Sequence, residues 1–403
     1  MWVNGPVGMG ADQRALHPTA RSVLVVVPYV VTGTRLADVL PLLATDHRVT
    51  TVFTVPLEPN GSVCHSAEEF VRALGGLVIP WQQAVHTEFD LILAASPTGL
   101  AQLHGKIVLL SYGATVGRSF PRAGSAGVHA NPTAALDHRT LIDQGRLLPT
   151  VLALSHDVEI AELRDTCPEA VSAAVVAGDV SYDRLMASLP LRGHYREALG
   201  LAAAHRLVVV SSSWQPDSTL GRHPRLLDDL VTELPRARYR VAAVLHPNIW
   251  HVHGPFQVRA WLADATRRGL LLLPPEEGWR AALAAADVLI GDHGSVTRYG
   301  AAIGVPTVVT GSPEQDLRPG SSADLLYRFA QRLRPSTSLA GQIGSVSIGT
   351  WQAELDARLT ARPGQAARIL RSVLYRELGI PEPEQAVQVT PVPMSVEICR
   401  STY

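Results

Sequence analysis

The sequence predicts an α/β protein built as two similar, doubly wound parallel sheets facing each other across a cleft. Three observations carry that expectation. Short apolar runs (VLVVV at 23–27, LVVV at 207–210, VLI at 288–290) alternate with segments of helical periodicity, as in strands buried on both faces by crossover helices. Each run ends in small or polar residues, and in such sheets ligands collect at the carboxyl ends of strands. The alternation occurs twice, with a break between about 175 and 205, and 403 residues exceed one ordinary domain.

In the first half, strands are expected at 23–27, 49–55, 77–79, 89–94 and 106–111. The segment 28–34 reads as a loop, 35–43 as a helix with Leu36, Val39, Leu40 and Leu43 facing inward, and 68–74 as a short helix. Loops 96–100 and 111–118 follow strand ends, so Ser96, Thr98, Gly113, Thr115 and Arg118 are where this half would meet a substrate. Arg118, Arg122 and Arg139 around these loops could hold an anionic acceptor, with solvated surface the safer reading. Residues 175–179 read as the exit from the first half, and 182–199 as helical. The second half then has strands expected at 206–211, 240–245 and 269–273, and helices near 225–234 and 258–267. Helices running to 333 and over 351–377 close the series, the last crossing back to the first domain. The expected divisions are a flexible start (1–20), a first domain (21–178), a second domain (179–340), crossing helices (341–380) and a loose tail (381–403).

The most informative stretch is 271–309. Trp279, Leu283 and Ala286 share a helical face, residues 287–290 form a buried strand, and Gly291-Asp292-His293-Gly294-Ser295 follows. Ser295 is expected to cap a helix through Val296, Tyr299 and Ala302. A strand, a glycine loop and a helix N-terminus in that order favour a phosphate, although a plain tight turn would use the same glycines. Three further strand ends add polar groups to the same side: Ser211, Ser212, Ser213 and Trp214; His246, Pro247 and Asn248; and Pro274, Pro275 and Glu276. Residues 294–297 (Gly294, Ser295, Val296, Thr297) and 211–213 would take a diphosphate. His246 would add a donor whose charged form the diphosphate favours, and the loop before Glu276 would edge the base. Trp214 either stacks on that base or packs beneath the loop.

Other classes are excluded or unsupported. A net charge of −1 does not suit a nucleic acid or an anionic membrane surface. The loop after the first strand, PYVVTGT, lacks the G-x-G-x-x-G of dinucleotide sites. No D-x-D metal motif is present, and His251 and His253, read as loop histidines, lack a third ligand, so no metal is expected. Asp228 and Asp229 read as an exposed helix face. Cys64, Cys167 and Cys399 form no CxxC pair, which suits a reducing compartment. With no signal-like apolar segment at the N-terminus and no transmembrane run, a cytoplasmic location is expected. A homodimer is compatible with this sequence.

HPN at 246–248 followed by PPEEGWRAALAAADVLIGDHGSVTRYGAAIGVPTVV at 274–309 resembles the nucleotide-binding half of GT-B transferases. The likeness spans roughly 20–335 and is strongest over 205–310. It is nearest to the actinobacterial CDP-glycerol glycerophosphotransferase-like group, with a more distant likeness to UDP-N-acetylglucosamine 2-epimerases. The resemblance implies a GT-B-like pair of Rossmann-like domains, a CDP- or UDP-linked donor held by the second domain, a small-molecule or polymer acceptor met by the first, and no obligatory metal. It places the family's phosphate contacts on His246 and Pro247, and on Asp292, Gly294, Ser295 and Thr297. It also makes His246, Asp292 and His293 candidates for the chemistry. Where the family carries a catalytic histidine in an HG turn, this chain has Tyr112-Gly113. A phenol near its ordinary pKa of about 10 is a poor base at neutral pH. Either His293, His104 or Asp90 replaces it, or the chain binds nucleotide without turnover. The acidic pair of the epimerases is replaced by Arg298 and Tyr299, which disfavours an epimerase or hydrolase.

Overall fold

A computed structural model describes all residues except 1, 9, 18–19, 59–63, 112–135, 312–316, 318, 335 and 394–403. The described residues fall into two compact units: 2–111, 136–183 and 360–389 in one, and 184–359 and 390–393 in the other.

The first unit holds strands β1 (Arg21–Val26), β2 (Val49–Thr54), β3 (Glu88–Ala94) and β4 (His104–Leu110), a small antiparallel pair β5 (Ile142–Asp143) and β6 (Arg146–Leu147), then β7 (Val151–Leu154) and β8 (Ala174–Val176). Its sheet runs β2-β1-β3-β4-β7-β8, every pair parallel. Val23, Leu24, Val25 and Val26 are all fully buried, which is why β1 shows a continuous apolar run and no alternation. Residues 77–79 contribute only one bridge, Val78 to Phe53. Its last strand, Ala174–Val176, overlaps residues 175–179, which read from sequence as the exit from this half.

The first helix, Val30–Ala37, begins five residues before the expected start. Its TGT segment looks like a loop, but the Thr32 hydroxyl donates to the Tyr29 carbonyl (2.6 Å) and closes the helix start. Gly33 lies against the Phe70 ring of the helix His65–Ala73, where any Cβ would collide. The glycine serves close helix packing and not a turn. The single helix expected over 351–377 is two, Trp351–Leu359 and Ala366–Leu378, separated by Pro363 and by Gly364 at φ +70°. Ala366, Leu370, Val373, Leu374 and Tyr375 join the core of the first unit beside Val23, Val25 and Leu93.

The second unit holds β9 (Arg206–Ser212), β10 (Tyr239–Leu245), β11 (Leu271–Leu272), β12 (Val288–Gly291), β13 (Thr307–Val309) and β14 (Gln331–Arg332). The order is β11-β10-β9-β12-β13-β14, again all parallel. Gln331–Arg332, expected inside a helix, is the edge strand because the helix Ser322–Phe329 ends before it. His251 and His253 lie on the helix Pro247–Trp261, not in a loop. Pro247 opens that helix and Gly254, at φ +78°, kinks it.

Two segments expected to be loose are tied down. Val3 exchanges hydrogen bonds with the Gln83 side chain (2.7 and 2.9 Å), and Val7 is buried. In the tail, the Val392 N–H donates to Ser188 Oγ (3.0 Å) and its carbonyl accepts from the Tyr195 hydroxyl (2.8 Å). Among the described residues, no helix is long and apolar enough to cross a membrane.

Candidate functional site

Strand order fixes where a ligand belongs in the second unit. The chain steps from β9 outward to β10 and β11, then returns to β12 beside β9 and proceeds the other way. Right-handed crossovers on either side of that reversal put helices on opposite faces, so the loops after β9 and β12 diverge and leave a crevice.

Asp292, just past β12, organises this crevice. It is fully buried. Its Oδ2 accepts from the backbone N–H of Ser213 (2.8 Å), the Ser213 hydroxyl (2.9 Å) and the backbone N–H of Thr219 (2.9 Å). Its Oδ1 accepts from the Gly294 N–H (2.9 Å). A buried carboxylate whose oxygens take several N–H donors is a structural anion, stabilised by charge-assisted hydrogen bonds. Through these bonds Asp292 ties the loop after β9 to the turn that follows β12.

Because Asp292 takes the Gly294 N–H, the helix begins one residue earlier than expected. Gly294 is the cap residue, Ser295 is the first residue of the helix Ser295–Ala302, and among the described residues no side chain caps its first turn. The backbone donors of that turn keep their capacity, together with the positive end of the helix dipole. Ser295 and Val296 are half-buried at this turn. The Thr297 side chain is fully buried, and its Oγ1 fills the space that a Cβ on Gly291 would need. Gly291→Ala should therefore destabilise the protein by roughly 1–3 kcal/mol through overpacking, read as a lowered Tm. An unchanged Tm would contradict this packing.

His246 caps the kinked helix, its Nδ1 accepting from the Asn248 N–H (3.1 Å). That bond assigns the ring proton to Nε2. Desolvation pulls the His246 pKa down to about 4, against an upward pull from Asp292 and with a further downward push from His293. Without a diphosphate beside it, the imidazole is therefore neutral at neutral pH, because burial outweighs the neighbouring carboxylate. The ring remains a neutral N–H donor. The Trp214 ring lies 6.5 Å from it, tilted by 33°. Pro247 and Asn248 form the first turn of the same helix. Ser211 and Ser212 are buried; the Ser212 hydroxyl donates to the Ser213 carbonyl (2.8 Å) and accepts from Leu220 N–H (3.1 Å). The hydroxyls of Ser212 and Ser213 thus bond inside the protein. Pro274 and Pro275 are half-buried and Glu276 is exposed.

In the first unit, Ser96 and Thr98 hydrogen-bond each other (2.9 Å) in the turn after β3. Tyr112, Gly113, Thr115, Arg118 and Arg122 lie outside the described residues. His104 opens β4 and so lies at the amino edge of the sheet, where ligands of this fold do not collect. Asp90 accepts from Ser22 N–H (2.8 Å) and pairs with Arg21 (3.2 Å) near the start of β3. Neither is placed as a replacement base. No motif points to Glu159, yet it is nearly fully buried after β7, and its Oε2 accepts from Ser155 N–H (2.7 Å) and His156 N–H (2.9 Å). Burial raises its pKa to about 7 in spite of those two bonds, Glu162 adding to the rise and Arg35 opposing it.

No family model and no curated protein matches the chain. Solved structures do. A structure of the wall teichoic acid polymerase TagF with CDPG superposes with a TM-score of 0.61 at 13% identity, covering 92% of each chain. A putative UDP-N-acetylglucosamine 2-epimerase from Listeria monocytogenes superposes at 0.53 and 12% identity, over 92% of this chain and 100% of that one. With its two parallel six-stranded sheets, the chain has the GT-B-like fold of these proteins.

Proposed function

We propose that the chain is a transferase that binds a nucleotide-diphosphate-activated donor, a sugar or polyol phosphate, at the carboxyl ends of β9, β10 and β12. The observation that carries this reading is the buried Asp292 carboxylate, which fixes Ser213 and Gly294 around an uncapped helix start. Backbone N–H groups and a neutral imidazole N–H suit diphosphate oxygens, and the reading calls for no metal ion. In a transfer, negative charge grows on the departing diphosphate. Donors already fixed in place stabilise that charge without reorganising. Positioning of the acceptor falls to the first unit in this reading, and if phosphorus is the atom attacked, alignment and charge neutralisation carry most of the reaction. The likeness to TagF supports the fold and, at 13% identity, leaves the donor to experiment.

Calorimetry against CDP, UDP, GDP and dTDP tests this. One of them should bind and raise Tm, by roughly 2.7 kcal/mol of stabilisation at a hundredfold excess over Kd. A folded protein stabilised by none of the four would defeat the proposal. Tyr112 at the family's histidine position supports a second reading, a nucleotide-binding protein without turnover. Tight binding with no product on any acceptor would favour it, and turnover lost in His246→Ala would reject it. Acceptor-independent conversion of UDP-N-acetylglucosamine would instead mark an epimerase or hydrolase.

A further inference from the structure

Thr219 is fully buried, and its backbone N–H donates to Asp292 Oδ2 (2.9 Å). Its hydroxyl lies 2.8 Å from the Ser211 carbonyl and 2.9 Å from Thr310 Oγ1. One hydroxyl carries one proton. The consistent assignment has Thr219 donating to Ser211 and accepting from Thr310. Thr310 is held in turn: its N–H donates to the Gly291 carbonyl (2.8 Å), and its own carbonyl accepts from the Tyr327 hydroxyl (2.8 Å).

These bonds join the segments that leave β9, β12 and β13, three adjacent strands of the sheet. The direction of winding reverses between the first two, and strand pairing stops where the loops begin to diverge. Past that point, the spacing between Ser213 and the Gly294 turn is set by side chains. Were a Cβ built on Gly294, it would lie 3.0 Å from Asp292 Oδ1 and 3.9 Å from the Ser213 Cβ, so small shifts of either loop alter the crevice directly.

We propose that Thr219, acting through Asp292 and Thr310, is a positioning residue that sets the spacing of the Ser213 and Gly294 loops and thereby aims the backbone donors at the donor's diphosphate. The inference rests on the nucleotide reading above. It predicts an effect specific to the phosphates, since the base is assigned to the loop before Glu276.

Calorimetric affinities for the preferred nucleoside diphosphate and for its parent nucleoside, in the wild type and in Thr219→Val, Thr219→Ser and Thr310→Val, test the latch. Thr219→Val should weaken diphosphate binding about tenfold, the equivalent of one neutral hydrogen bond, and change nucleoside binding by less than about twofold. Thr219→Ser should restore the diphosphate affinity. Thr310→Val should show the same split as Thr219→Val and serves as the test if that variant does not fold. Equal losses for both ligands, or undiminished diphosphate binding in a valine variant, would overturn the latch alone. A wild type that binds no nucleotide would remove the donor reading and the latch with it.

Discussion

Asp292→Asn should weaken nucleoside diphosphate binding by at least about a hundredfold and lower Tm, through a cost on the order of 3–5 kcal/mol. Three backbone N–H groups converge on the two oxygens of this buried carboxylate: those of Ser213 and Thr219 on Oδ2 and that of Gly294 on Oδ1. An asparagine offers one oxygen. If its amide nitrogen takes the Oδ1 position, it faces the Gly294 N–H; if it takes the Oδ2 position, it faces two backbone N–H groups and the Ser213 hydroxyl. Either orientation leaves buried donors without acceptors, so the loops must part. Calorimetry alongside thermal melting distinguishes this from direct participation in catalysis. An Asp292→Asn protein with wild-type Tm and affinity but no turnover would show that Asp292 acts on the reacting atoms and would reject the positioning role.

Glu159→Gln should have the opposite sign. The Glu159 pKa is raised in the folded protein from an ordinary 4.5 to about 7. Its favourable contribution is therefore complete below pH 4.5 and is lost as pH rises through about 7. Above that, the fold carries a buried charge whose Oε1 has no hydrogen-bond partner among the described residues. The rise corresponds to roughly 3 kcal/mol, and the new amide recovers only part of it because its NH₂ also lies where no partner is found. A gain of about 1–3 kcal/mol at pH 8 and almost none at pH 4.5 is expected. Hydrogen exchange of the β7 amides in both proteins at the two pH values measures it. A difference that does not grow with pH would refute the buried charge.

How far the sequence discloses this molecule depends on how local the responsible physics is. Apolar runs such as 207–210 and 288–290 are legible because burial on both faces leaves no room for alternation, and the strands fall where that pattern puts them. The same pattern says little about β8 and β14, which are two or three residues long and exist only because a neighbour supplies the ladder. Gly33 reads as a turn residue until Phe70, far along the chain, is seen against it. At the site, the Gly291–Ser295 loop is visible from its spacing, whereas the division of labour within it is not. Ser295 looks like the cap, and Gly294 takes that place because Asp292 captures its N–H. Thr219 carries no motif at all. Its partners, Ser211, Asp292 and Thr310, become its neighbours only through the strand order. His246 shows a further limit. Its neighbours can be listed from sequence, but the desolvation that keeps it neutral depends on how many atoms surround it.

The helix Ala366–Leu378 supplies Leu370, Leu374 and Tyr375 to the core of the first sheet, whose other elements end by residue 183. This has a consequence for the order of synthesis. When the first unit has left the ribosome, its sheet still lacks one wall of its core, and roughly 200 residues must follow before that wall exists, on the order of ten to forty seconds at usual elongation rates. During that interval residues 184–359 of the second unit emerge, and its last described residues, 390–393, follow the helix. The half encoded first therefore keeps an apolar face open until nearly the whole chain has been made.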